Sequence, residues 1–224
     1  MSLLECVIVD PVEPPSHCVI LLHGLGADGH DFESFVPELA QEGLRSFRFV
    51  FPHAPYQKVT LNGGYRMRAW YDIAGLDFDQ SPDFDGINRS VDDINALIEA
   101  EHRIGFSYER ILLAGFSQGG VIALHCGLSF QQRLTGILAL STYFPVPNPQ
   151  TWRPHPANAQ TPIFMAHGIF DNVVKLRYGE VSRELLRRKG CAVEWHQYAM
   201  AHSVCPEEIE QIGDWLKRIT NNVK

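Results

Sequence analysis

Residues 111–127 read ILLAGFSQGGVIALHCG: four apolar residues, a serine between glycines, then an apolar run long enough for a helix. A short buried strand passing into a buried helix through G-x-S-x-G is the setting of a nucleophile elbow. There a strained turn lifts the serine hydroxyl clear of a sheet, and the residues two positions away must be small. Gly115 and Gly119 meet that need around Ser117. The bare string arises easily by chance in a chain with this much glycine and serine, so its setting carries the weight. The competing role for Ser117 is that of a helix cap.

Outward from this stretch, strand-like and helix-like segments alternate. Strands are expected at 3–9, 18–22, 47–51, 110–115, 136–140, 162–166 and 192–198. Asp31 is placed to cap a helix running to about residue 42. Ile87, Val91, Ile94 and Ile98 recur at helical spacing, and helices are expected at 117–127 and 178–188. Pro206 suits the first position of a last helix, with Glu207 and Glu208 favourable at its positive end and Ile209, Ile212, Trp215, Leu216 and Ile219 on its buried face. Residues 55–85 break the rhythm; Asn62-Gly63 there suits a hairpin turn. Buried strands alternating with helices imply a three-layer α/β domain with a mostly parallel sheet, and nothing suggests a second domain within 1–224.

Composition narrows the function. The 224 residues carry a formal charge of −7, which disfavours nucleic acid or an anionic membrane as partner. Five scattered cysteines without a C-x-x-C fit reduced thiols in a cytoplasmic protein, not a disulfide frame or a zinc site. The N-terminus lacks the features of a signal peptide, and no apolar run reaches membrane-spanning length. Neither a metal nor a cofactor is expected.

A serine hydroxyl needs a base to take its proton and a carboxylate to orient that base. On sheets of this kind the chain order is serine, acid, histidine. Asp171 is the sole aspartate between Ser117 and the last histidine, and it lies just beyond a strand. Of the two later histidines, His196 sits inside an alternating strand, whereas His202 follows it in a loop. Ser117, Asp171 and His202 therefore fall in the required order at three strand ends.

The segment HGLGADG (23–29) is a literal G-x-G-x-x-G after a strand. A dinucleotide site wants an acid near the end of the next strand, but that region reads FRFVFPHAP. The glycines suit another task, turning a backbone amide toward a developing oxyanion. Leu25 within HGLG and Gln118 after the nucleophile are the expected donors. Trp70, with Met67 and Leu76, is placed either to wall an acyl pocket or to pack the loop's own small core. His23 and His167 read as hydrogen-bonded supports of their loops, and His125 as a core residue.

The segments VILLHGLGADGHDF (19–32), FPHAP (51–55), VTLNGGYRMRAWYDI (59–73), AGFSQGGVIAL (114–124), HGIFDNVV (167–174) and AHSVCPEEIEQIGDWL (201–216) together resemble the carboxylesterase and acyl-protein thioesterase (lysophospholipase-like) branch of the α/β-hydrolases. The loop wording is more similar to bacterial carboxylesterases than to eukaryotic depalmitoylases. The resemblance implies an α/β-hydrolase fold, nucleophile Ser117, carboxylate Asp171, base His202 and oxyanion amides of Leu25 and Gln118. It implies hydrolysis of esters with short to medium acyl chains, without a cofactor. The alternative is a thioesterase or lysophospholipase for longer chains; a non-catalytic binding protein on the same fold is the third reading. Many members are homodimers, so a second copy of the chain is an implied partner. Lys175 stands where a proline is frequent, and Ala199 and Ala201 where glycines are, which bears on the approach of His202.

Overall fold

The computed structural model describes residues 3–41, 44–75 and 82–221. Among the described residues nine strands run in chain order as β1 (Cys6–Val9), β2 (His17–Leu22), β3 (Phe47–Pro52), β4 (Tyr56–Val59), β5 (Tyr65–Arg68), β6 (Ile111–Phe116), β7 (Gly136–Leu140), β8 (Ile163–Gly168) and β9 (Val193–Tyr198). Five helices are interspersed: α1 (Val36–Gln41), α2 (Phe84–Arg103), α3 (Gln118–Ser129), α4 (Leu176–Arg188) and α5 (Pro206–Thr220). Seven strands form one sheet in the order β1-β3-β2-β6-β7-β8-β9, parallel except for β1 against β3, and β4 and β5 pair separately as a hairpin. This is the α/β-hydrolase architecture.

The strands are apolar on both faces because both are covered. Along β2, Cys18, Ile20 and Leu22 join the core beneath α2, α3 and α4, while Val19 and Leu21 join the core beneath α1 and α5. After β2 the chain moves outward to β3, then crosses back to place β6 on the other side of β2. That reversal opens a crevice beyond the carboxyl ends of β2 and β6, where ligands bind in sheets of this class. The HGLG and GFSQG turns both leave the sheet there. No helix among the described residues is long and apolar enough to cross a membrane.

Most expected elements form; α2, α4 and α5 follow the apolar periodicity and α3 is buried on nearly every face, with two differences. Asp31 does not cap a helix: it lies in a turn, a single 3-10 turn follows at Glu33–Phe35, and α1 begins only at Val36. Pro37, with no N–H to satisfy, fits the first turn of that later start. The β4–β5 hairpin closes through five residues instead of a two-residue turn; Asn62 ends a 3-10 turn, and Gly63 and Gly64 take φ of 65° and 78°. Glu207 and Glu208 stand in the first turn of α5 as expected, and Glu208 is fully buried there.

Candidate active site

Ser117 is forced into place from both sides of the elbow. Its φ of 53° and ψ of −118° lie where non-glycine residues are rare, the kind of strain that surrounding structure must enforce. The Ser117 N–H donates to the Leu140 carbonyl at 2.9 Å, and the Thr142 hydroxyl donates to the Ser117 carbonyl at 2.7 Å. The glycines are steric necessities. A Cβ on Gly115 would sit 2.3 Å from the Gly119 carbonyl oxygen, and one on Gly119 would sit 2.3 Å from that of Leu22. The Ser117 side chain makes no cap bond to α3, so the cap alternative falls away.

Three strand ends converge on the hydroxyl. Ser117 Oγ–H donates to His202 Nε2 at 2.9 Å, and His202 Nδ1–H donates to Asp171 Oδ2 at 2.7 Å. A carboxylate can only accept, so it fixes the tautomer that leaves Nε2 free to receive a proton. Asp171 is itself anchored, its Oδ1 accepting from Val173 N–H at 2.9 Å and Val174 N–H at 2.8 Å. Burial works against its charge, but the His202 hydrogen bond and charge and those two amides outweigh it and hold the carboxyl below its usual range. The loops bearing acid and histidine are joined by Ile169 N–H to the Tyr198 carbonyl at 2.9 Å and Phe170 N–H to the Met200 carbonyl at 3.0 Å. Ala199 and Ala201 avoid positive φ, and the φ of −56° at Lys175 is one that proline shares. These departures leave the local backbone undistorted.

The HGLG loop is held one peptide plane at a time. The His23 carbonyl accepts from the Trp70 indole Nε1–H at 2.9 Å, the Gly24 carbonyl accepts from His23 Nδ1–H at 2.7 Å, and Gly26 N–H donates to the Arg68 carbonyl at 2.9 Å. Leu25 N–H belongs to the same planar unit as the Gly24 carbonyl and must point the opposite way. Neither Leu25 N–H nor Gln118 N–H donates to another group among the described residues. His23 Nε2 accepts from Ala54 N–H at 3.1 Å, and burial pushes the imidazole down to about 4, so both bonds rest on the neutral ring. The last glycine of the G-x-G-x-x-G has a packing role: a Cβ on Gly29 would lie 2.4 Å from the Phe51 carbonyl oxygen.

Of the expected substrate contacts, Trp70 is only 1% exposed and its ring lies against His23. It is a strut of the loop rather than a pocket wall, because its indole N–H is spent on the His23 carbonyl. Met67 is half-buried beside Gly26, and Leu76 lies outside the described residues. His167 donates to the Val174 carbonyl at 2.7 Å and His125 to that of Pro145 at 2.8 Å, both as supports. His196 stacks on Phe164 and hydrogen-bonds Glu194, away from the serine's partners. Sequence reasoning missed the Gln118 side chain, which accepts from Trp70 N–H at 2.8 Å and donates to the Tyr71 carbonyl at 2.7 Å. A glutamine beside a motif serine gives no sign of where its amide points.

Residues 4–220 match the phospholipase/carboxylesterase family. An acyl-protein thioesterase 1 of Yarrowia lipolytica is 40% identical over 205 residues, covering 89% of this chain and 90% of its own. Among solved structures, Arabidopsis thaliana SOBER1 superposes with a TM-score of 0.84 at 29% identity, covering 91% of this chain and 98% of that one. The Zea mays acyl-protein thioesterase 2 reaches 0.83 at 26% identity, covering 96% and 99%. With a match along nearly its whole length, the chain belongs to the phospholipase/carboxylesterase family of α/β-hydrolases.

Proposed function

We propose that this hydrolase cleaves acyl thioesters, and the corresponding oxygen esters, through an acyl-enzyme on Ser117. The observation that carries the reading is the unbroken hydrogen-bonded line from the Ser117 hydroxyl through His202 to Asp171. His202 Nε2 takes the hydroxyl proton as Oγ attacks the acyl carbonyl carbon. The amides of Leu25 and Gln118 receive the oxyanion, at a worth of about 3 kcal/mol each for donors of this kind. The C–S or C–O bond then breaks and His202 returns the proton to the leaving thiol or alcohol. Water repeats the cycle on the acyl-enzyme and frees Ser117. Asp171 stays ionised throughout and steadies the imidazolium.

Likeness to acyl-protein thioesterases, at 36–40% identity, favours thioesters over the short to medium carboxylic esters that the loop wording suggests. Ile169 and Phe170 expose apolar surface on the loop that carries Asp171.

The test is a panel of matched thioesters and oxygen esters with acyl chains of two to sixteen carbons, run with wild type and Ser117→Ala. Thioester turnover that improves with chain length and vanishes in a folded Ser117→Ala supports the reading. Turnover that survives the substitution rejects it, and a profile confined to short oxygen esters returns the carboxylesterase reading.

A further inference from the structure

The residue that follows the nucleophile has two ends in use. Its backbone N–H is one of the two oxyanion donors on the reading above, on which this inference rests. Its side chain is 2% exposed and uses both polar atoms on the chain leaving β5: Oε1 accepts from Trp70 N–H at 2.8 Å and Nε2 donates to the Tyr71 carbonyl at 2.7 Å. The same short arm, residues 68–71, reaches the other donor. The Arg68 carbonyl accepts Gly26 N–H, and the Trp70 indole donates to the His23 carbonyl. These two bonds fix the peptide planes 25–26 and 23–24. With His23 fixing the plane between them, the conformation on both sides of Leu25 is set. The Ser90 hydroxyl, from α2, holds the Trp70 carbonyl and braces the arm from behind.

We propose that the Gln118 carboxamide is a positioning group for the oxyanion site, docking arm 68–71 onto α3 so that the arm holds the Leu25 amide at a fixed distance from the Gln118 amide. The two donors come from turns after different strands, β2 and β6, and backbone pairing between those strands ends at Leu22 and Gly115. Beyond that point the arm bridges the turns. Without the carboxamide, the Trp70 N–H and Tyr71 carbonyl lose their partners and the arm loses its tie to the helix. The Leu25 amide then drifts from the line that a tetrahedral oxyanion needs, while ground-state binding is untouched.

Gln118→Met keeps the length of the side chain and removes both bonds. With folding verified by circular dichroism, kcat on a thioester should fall about 10- to 100-fold, less than or comparable to outright loss of an oxyanion donor. KM should stay within about twofold. Affinity for a trifluoromethyl ketone, whose hemiketal oxygen occupies the oxyanion position, should fall in step with kcat, a response that general loosening of the fold would not produce. Trp70→Phe removes only the indole bond to His23 and should shift the same two quantities in the same direction by a smaller factor; it serves if Gln118→Met fails to fold. An active wild type whose folded variants keep kcat within about twofold, or lose kcat with ketone affinity unchanged, overturns the positioning role alone. A wild type that neither turns over acyl substrates nor accepts a fluorophosphonate on Ser117 overturns the hydrolase reading and this one with it.

Discussion

Glu208 offers a test of how this fold handles a buried acid. It lies at the third position of α5, is 0% exposed, and neither carboxyl oxygen finds a hydrogen-bond partner among the described residues. Burial pushes its pKa from 4.5 up to about 8. The folded state therefore favours the proton and the unfolded chain releases it near its ordinary value. Stability is fully present below about pH 4.5 and is lost as pH rises through about 8, at about 1.4 kcal/mol per pH unit between those limits. Integrated over the window, the ionisation costs on the order of 5 kcal/mol. Glu208→Gln carries no titrating proton, so its stability relative to wild type should climb steadily from pH 5 to pH 8.5. Urea unfolding followed by tryptophan fluorescence at four or five pH values measures that difference. Any constant offset from the new amide drops out, because the slope is what is read. A flat difference, or one that falls with pH, would refute the reasoning.

Three further outcomes follow from the site. Asp171→Asn should lower kcat by about 10³- to 10⁴-fold with little change in KM, because the wrong imidazole tautomer then faces Ser117; steady-state kinetics decide. Gly119→Ala should yield an inactive and poorly folded chain, since its Cβ would meet the Leu22 and His23 carbonyl oxygens at 2.3 and 2.6 Å; solubility and circular dichroism report it, and a folded, active variant contradicts the steric account. His23 favours the neutral ring with a pKa of about 4, so its contribution to stability is lost as pH falls from about 6.5 toward about 4, where the unfolded chain takes a proton that the folded one refuses. His23→Asn should flatten that part of the acid limb and lower kcat through the Leu25 plane, with an unchanged limb counting against it.

The convergence of Ser117, Asp171 and His202 was legible because chain order and strand-end position are one-dimensional quantities. Ser117 and Asp171 each follow a strong apolar run and His202 an alternating one, and the sheet's parallelism carries all three run ends to one rim. The demand for Gly115 and Gly119 was legible for a similar reason, as sterics within one turn need only local sequence. Features that depend on distant partners were not. Trp70 reads equally as wall or strut until its indole is seen to face the His23 carbonyl, and the Gln118 amide has no local signature at all. The place of Glu208 in the first turn of α5 was legible, but only tertiary packing reveals that it is sealed off from water.

The edge position of β9 has a consequence for how activity fails on warming. Among the described residues that strand pairs with β8 alone, while the serine is carried by β6, flanked on both sides. Fraying of the margin near Tyr198 would pull the imidazole away and leave the elbow intact. Heat should thus silence the enzyme reversibly, several degrees before the body of the sheet melts, with the dormant serine still seated in its turn.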